Sequence, residues 1–335
     1  MIMHREKISK KKIWLAILPA AIFLSAGSIS LVHSVPQNHI SNPLSVNGWH
    51  YLPVYMNYAP QGLPDFDQKQ DNWKARQGKW RLIGGLWSFC APTCLANIFW
   101  WFDSKHEDPN GYPGDGIDLY PLIRNLNAPG APTPGPNTDD HNFNNVNDQL
   151  TRWRHGRGAK ELVETLAWYC NTNFCQHPLI RGRAGTWATF LEKGAKQWIT
   201  DAGLQDHYTV EGVWNPAFSL IISALQNNSG VIINLLLYNP DAIVFHTFLG
   251  HYVSVAGINP NGSIALSDPF QNMANPIPTV EDHNDANIVS YDVYPVNFSS
   301  PFPDKASWWI VQYFDIGIKK LGGLAQYALI ISEVE

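Results

Sequence analysis

The chain has 335 residues, room for one large domain or two modest ones, and 45% of them are hydrophobic against only 15% charged. That balance, with 14 Trp to fill a core, excludes an intrinsically disordered protein. A net charge of −5 leaves no basic footprint, so no nucleic-acid partner is expected.

Residues 1–34 form a unit of their own. Lys7, Lys10, Lys11 and Lys12 make a positive stretch, and Ile13 to Leu24 is an apolar run of 12 residues followed by Ala26, Gly27 and Ser28. A run of this length suits the core of a secretory signal peptide. Extended to Val32, it becomes an N-terminal membrane anchor of 20 residues, the competing reading and a possible membrane tether. Either way the body of the protein is expected outside the cytoplasm, secreted or held at the cell surface. Residues 35–48 read as a linker, and 49–335 as one domain.

Trp49 to Tyr58 has the aromatic and β-branched texture of a first strand, and 59–80 reads as a polar surface loop. A helix is predicted over 88–103: Ser88 is placed to cap it, Pro92 falls in the first turn, and Leu95, Ile98, Phe99 and Phe102 recur at helical spacing. Residues 107–147 are rich in Pro, Gly, Asn and Asp and read as a loop-rich insertion. Within it, Asp108 to Asp118 lacks the ligand spacing of a calcium loop and reads as a solvated turn.

Helices follow at 158–171, 186–201 and 216–227. Strands are then expected at 231–238 and 252–258, a hairpin turn at 259–262, a returning strand from Ser263, and late strands at 308–314 and 325–333. Residues 270–305 read as loop. Helices first and strands later is the α+β pattern.

Four cysteines are present, at 90, 94, 170 and 175. In an exported chain Cys170 and Cys175 are candidates to pair, whereas Cys90 and Cys94 lie on one helix, where a disulfide is geometrically awkward. A zinc site would want CxxC spacing with a second pair nearby, and the chain has neither. No metal and no cofactor is expected.

The chemistry gathers at three places. Cys90 falls in the first turn of its helix, where the backbone dipole and a nearby cation lower a thiol's pKa from ~8.5 into the range ~3.5–7.5. Cys94, one turn deeper, reads as a buried structural thiol. His251, in Gly250-His251-Tyr252-Val253-Ser254-Val255-Ala256-Gly257, opens an alternating strand and is a candidate base for the thiol. Asp268, in Ser267-Asp268-Pro269, lies across the predicted hairpin, where a carboxylate orients the imidazole.

In that order these segments resemble the papain-like cysteine peptidases related to the bacteriocin leader-processing peptidases. Cys90-Ala91-Pro92-Thr93 is similar to their Cys-Gly-Pro-Thr helix start, and the later segments to their Gly-His-x-Val-x-Val-x-Gly strand and following Asp-Pro. Asp67-Gln68, five residues before Trp73, matches an upstream motif of the family. The resemblance covers roughly residues 49–270. It implies a papain-like fold with a Cys-bearing helix on an antiparallel sheet, a peptide or protein substrate, and Gln68 as oxyanion donor beside the Cys90 N–H. Gln70 and Gln77 are alternatives to Gln68. The chain departs from the family at Ala91, and at Gly84-Gly85-Leu86, where the leader-processing enzymes carry a Gln. A scaffold with a dead site, serving binding or adhesion, and an acyltransferase using the same residues are the competing functions.

Overall fold

The computed structural model describes residues 48–55, 59, 62–69, 73–75, 86–106, 119–123, 162–177, 184–240, 247–271, 291–316 and 319–334. The export segment, most of the 107–147 insertion, His246, Gln70 and Gln77 lie outside the described residues. Among the described residues no helix is long and apolar enough to cross a membrane.

Among the described residues ten strands and four helices follow one another as β1 (His50–Tyr51), β2 (Lys74–Ala75), β3 (Leu86–Trp87), α1 (Cys90–His106), α2 (Leu162–Tyr169), α3 (Ala188–Asp201), β4 (Tyr208–Trp214), α4 (Phe218–Gln226), β5 (Gly230–Tyr238), β6 (Thr247–Asn259), β7 (Ser263–Ser267), β8 (Asp292–Pro295), β9 (Trp309–Ile316) and β10 (Lys319–Glu333). The architecture mixes helices with an eight-stranded antiparallel sheet, in the order β4-β10-β5-β6-β7-β8, with β1 added to β6 and β9 to β10. Three of the four helices precede the first long strand of the sheet, as the α+β reading expects.

Helix α1 is the centre of the molecule. Every residue from Cys90 to Ser104 is buried, so the helix is enclosed on all sides and not merely along one stripe. Phe99, Trp101 and Phe102 are fully buried, and side chains of this kind contribute about 1.5–3 kcal/mol each on leaving water. Trp100, Trp308 and Trp309 are buried as well.

A polar network fixes how α1 meets the sheet. Asn97, itself fully buried, donates from Nδ2 to Ser267 Oγ at 3.1 Å and accepts the Phe66 N–H on Oδ1 at 3.2 Å. The Ser267 hydroxyl lies 2.9 Å from Pro64 O and 2.8 Å from Asp65 Oδ1, and the Ser254 hydroxyl donates to Cys94 O at 3.2 Å. These bonds hold one face of β6 and β7 at a set height along the Cys-bearing helix.

Several expectations are corrected here. The described part of 59–80 is no surface loop: Leu63, Asp65, Phe66, Asp67, Gln68, Trp73 and Ala75 are all buried. Inside, the Ser267 hydroxyl bonds the Asp65 carboxylate, Lys69 pairs with Asp67, and the Phe66 and Gln68 N–H groups donate to Asn97 Oδ1 and Pro269 O. The first strand is only His50–Tyr51, and β4 and β8 arise in stretches that read as connections. Ser88 does not cap α1, because its hydroxyl points to Trp73 O at 3.5 Å. No disulfide joins Cys170 to Cys175: Cys170 packs on α3, where a Cβ on Gly194 would come within 2.7 Å of its sulfur, and Cys175 Sγ lies 3.6 Å from Asn171 Oδ1.

Candidate active site

Cys90 is the first residue of α1 and is buried to 7% exposure. The apolar run behind it drives the helix inward, and the dipole of a 17-residue helix puts partial positive charge on this end. Cys94, one turn on, has no exposure at all, and burial pushes its thiol well above the ordinary value. Two cysteines four residues apart therefore sit in different chemical settings.

His251 enters through β6. Its strand pairs with β5 through Leu235 and, after the turn at 259–262, with β7 through Ser254–Ser267. That register carries the chain one residue past Ser267 to Asp268, which lands beside the imidazole. Nε2 of His251 and Oδ1 of Asp268 are 2.7 Å apart in a buried ion pair. Cys90 lies close enough to His251 to contribute to the raised pKa of its ring. A helix end, a strand and a hairpin thus bring the thiol, the imidazole and the carboxylate to one place. Gly250 makes room at its start: a Cβ there would come within 3.0 Å of the Asn234 carboxamide, so it is a side chain, not a backbone, that approaches closely.

The electrostatics follow from the burial and the partners. Burial opposes charge on the imidazole, but the charge and hydrogen bond of Asp268, together with those of Cys90, outweigh it and raise the ring's pKa from 6.5 to about 10. Asp268 moves the opposite way: burial pushes its carboxyl up, and His251, the Tyr313 hydroxyl and the Phe270 N–H together bring it below the ordinary 3.8. The pair is an imidazolium and a carboxylate across the neutral range.

Gln68 is buried to 2% exposure, and its backbone N–H donates to Pro269 O at 2.7 Å, next to Asp268. Its Oε1 has no hydrogen-bond partner among the described residues. Trp73, five residues on, reaches the other side of the site: its carbonyl accepts the Ser88 N–H at 3.2 Å and its ring stacks on Phe89 at 5.4 Å, immediately before Cys90. The Gln68–Trp73 spacing thus bridges the Asp268 turn and the Cys90 helix start. Lys69 holds the near end, with Nζ 2.7 Å from Asp67 Oδ2 and 2.8 Å from Phe270 O. Ala91, where the family carries Gly, is fully buried.

Tyr313 is the residue that the sequence did not bring forward. It stands on β9, is buried, and donates its hydroxyl to Asp268 Oδ2. Its ring and that of Phe270 flank the imidazole, with centroids 6.2 and 6.3 Å away. The only signal available for it was the late apolar strand that contains it, which does not single out one tyrosine. Among the described residues no group of three or more His, Cys, Asp or Glu is arranged to hold a metal ion.

No family model matches the chain, and no curated protein matches it. Among solved structures the chain is similar to the active wild-type interpain A cysteine protease of Prevotella intermedia, at 12% identity over 83% of this chain and 97% of that one, with a TM-score of 0.35. A likeness of that size carries no argument by itself, and the chemical reading of the site rests on its own geometry.

Proposed function

We propose that the chain is an exported cysteine peptidase of the papain-like kind, acting on peptide or protein substrates. The observation that carries the reading is the convergence of Cys90, at the N-terminus of α1, on a His251 ring already held by the Asp268 carboxylate. The export part of the proposal rests on the basic and apolar residues of the first 34 positions.

In the proposed reaction His251 already holds the Cys90 proton as the imidazolium, and the thiolate sulfur bonds to the substrate carbonyl carbon as the carbonyl π electrons move to oxygen. The Cys90 N–H and the Gln68 carboxamide N–H hold that oxyanion. When the tetrahedral species collapses, the C–N bond breaks and the imidazolium proton passes to the departing amine, leaving a thioester. His251 then removes a proton from water as it attacks the thioester, and the acid leaves as the thiol is restored. Asp268 keeps the imidazole in the tautomer that presents Nδ1 to sulfur.

The first test is chemical. Iodoacetamide near pH 6 should label Cys90 stoichiometrically and faster than a free thiol, with Cys94 protected, and Cys90→Ala should end hydrolysis of a casein-derived peptide mixture. Equal labelling of the two cysteines, or hydrolysis surviving in Cys90→Ala, would falsify the reading.

A further inference from the structure

Lys69 follows the candidate oxyanion donor Gln68 and has no part in the proposed reaction, yet its side chain is only 14% exposed. Enclosing a cation costs desolvation that only well-placed partners offset. Lys69 has them. Its Nζ lies 2.7 Å from Asp67 Oδ2, donates to Phe270 O at 2.8 Å and stands 5.4 Å from the centre of the Phe270 ring. Its backbone N–H donates to Asp67 Oδ1 at 2.5 Å, so the two neighbours of Gln68 are joined across it by both main chain and side chain.

These contacts strap the segment 67–69 to the segment 268–271, far along the chain. The strap has two hydrogen bonds, Lys69 Nζ to Phe270 O and the Gln68 N–H to Pro269 O at 2.7 Å. Its two sides are unequally held. The segment 268–271 has supports of its own: the Phe270 and Gln271 N–H groups close on Asp268 Oδ1 at 2.8 and 3.2 Å, the Gln271 carboxamide donates to Tyr313 O at 3.1 Å, and the Tyr313 hydroxyl donates to Asp268 Oδ2. On the other side Phe66 is fixed to α1 through Asn97, and beyond it the strap locates the Gln68 backbone. A carboxamide can meet a developing oxyanion only if the backbone that carries it is fixed, since a misplacement of about 1 Å costs roughly 10²-fold in rate.

We infer that Lys69 is a positioning residue for the oxyanion donor: by bridging Asp67 to the Phe270 carbonyl it holds the Gln68 carboxamide in place for the reaction at Cys90. The inference rests on the cysteine-peptidase reading and on Gln68 as its donor. Lys69 acts through Gln68 and not on the reacting atoms. Because the His251–Asp268 pair keeps its own supports, loss of the lysine leaves the thiolate intact and weakens only the stabilisation of the oxyanion. Arginine at this position keeps a charge and several donors for the carboxylate and the carbonyl, whereas methionine keeps the bulk and loses both.

The experiment compares the full chain with Lys69→Met, Lys69→Arg, Gln68→Ala and the Gln68→Ala/Lys69→Met double variant. Two rates are followed: kcat and KM for one peptide that the wild type cleaves from the casein mixture, and alkylation of Cys90 by iodoacetamide, which displaces iodide from a saturated carbon and builds no oxyanion. Gln68→Ala should lower kcat by about 10²-fold or more, and Lys69→Met by roughly 10- to 100-fold, with KM and the alkylation rate within about twofold of wild type. Lys69→Arg should recover most of the loss. Adding Lys69→Met to Gln68→Ala should cost nothing further, because the group that the lysine positions is already gone. An unchanged kcat in Lys69→Met, a fall in alkylation that matches the fall in kcat, or a full additional loss in the double variant overturns the inference. Should Lys69→Met fail to fold, Asp67→Asn decides: it keeps the shape and removes the charge that holds Nζ, and an unchanged kcat there is equally fatal. Failure of the peptidase reading would show in the wild-type chain itself, as no hydrolysis and no preference for Cys90 over Cys94, and would take the inference with it.

Discussion

The two ends of α1 each carry a histidine–carboxylate pair, and they differ in ways that bear on chemistry. At the C-terminal end His106 and Lys105 both bond Glu333 of the last strand, with the His106 and Glu333 side chains 16% and 22% exposed. At the N-terminal end His251 and Asp268 are 10% and 0% exposed, and the Cys90 thiol lies beside the imidazole. Cations at a helix C-terminus and a thiol at its N-terminus are each where the dipole favours them. A histidine beside a carboxylate is thus common structural material. What marks the second pair is the nearby sulfur, the Phe270 and Tyr313 rings against the imidazole, and, among the described residues, a carboxylate that no lysine bonds.

The sharpest way to break this comparison is to remove the sulfur or the ring. Cys90→Ala and His251→Ala should each lower kcat/KM by roughly 10⁴-fold, and the double variant should lose little more, because the two act as one unit. Peptide hydrolysis followed in all three variants measures this, and additive losses would speak against a shared mechanism.

Asp268→Asn tests the charge. The imidazolium that protonates the departing amine persists up to about pH 10 because Asp268 offsets the cost of burial. Removing that negative charge lowers the ring's pKa, so the alkaline limb of the pH–rate profile should move down toward neutral, with an activity loss of about 10²-fold or more at pH 8. Linkage gives the stability its own window. The contribution of His251 is complete below 6.5 and lost as pH rises through about 10; that of Asp268 is present above 3.8 and lost as pH falls through its lowered value. Urea unfolding of wild type and Asp268→Asn at pH 5 and pH 10.5 should show the difference shrinking at the higher pH.

Asn97→Ala should cost about 2–3 kcal/mol in urea unfolding, because it strands the Phe66 N–H and a Ser267 bond in the core. His106→Ala, at the other end of the helix, should cost less than about 1 kcal/mol and leave Cys90 labelling unchanged. A large effect of His106→Ala on labelling would erase the distinction between the two pairs.

Much of the site can be read along the chain because its parts are local. Pro92 and the apolar spacing that follows it place Cys90 at a helix start, and Ser263–Ser267 returning on β6 brings Asp268 to His251 across a single hairpin. What the chain order could not supply comes from distance. Tyr313 meets Asp268 from 45 residues away, and Asn97 meets Ser267 from 170. The burial of Asp65, Asp67 and Gln68 defeats a polarity-based reading, because polarity indicates exposure only until tertiary partners satisfy the polar groups.

By itself the sequence determined the main helices and most of the long later strands, the helix-end position of one thiol, and the hairpin that pairs a histidine with an aspartate. Only the tertiary structure decided which tyrosine meets the carboxylate and how deep each group lies. Periodicity and turn chemistry act over a few residues, whereas desolvation and hydrogen-bond competition depend on every element packed around a site.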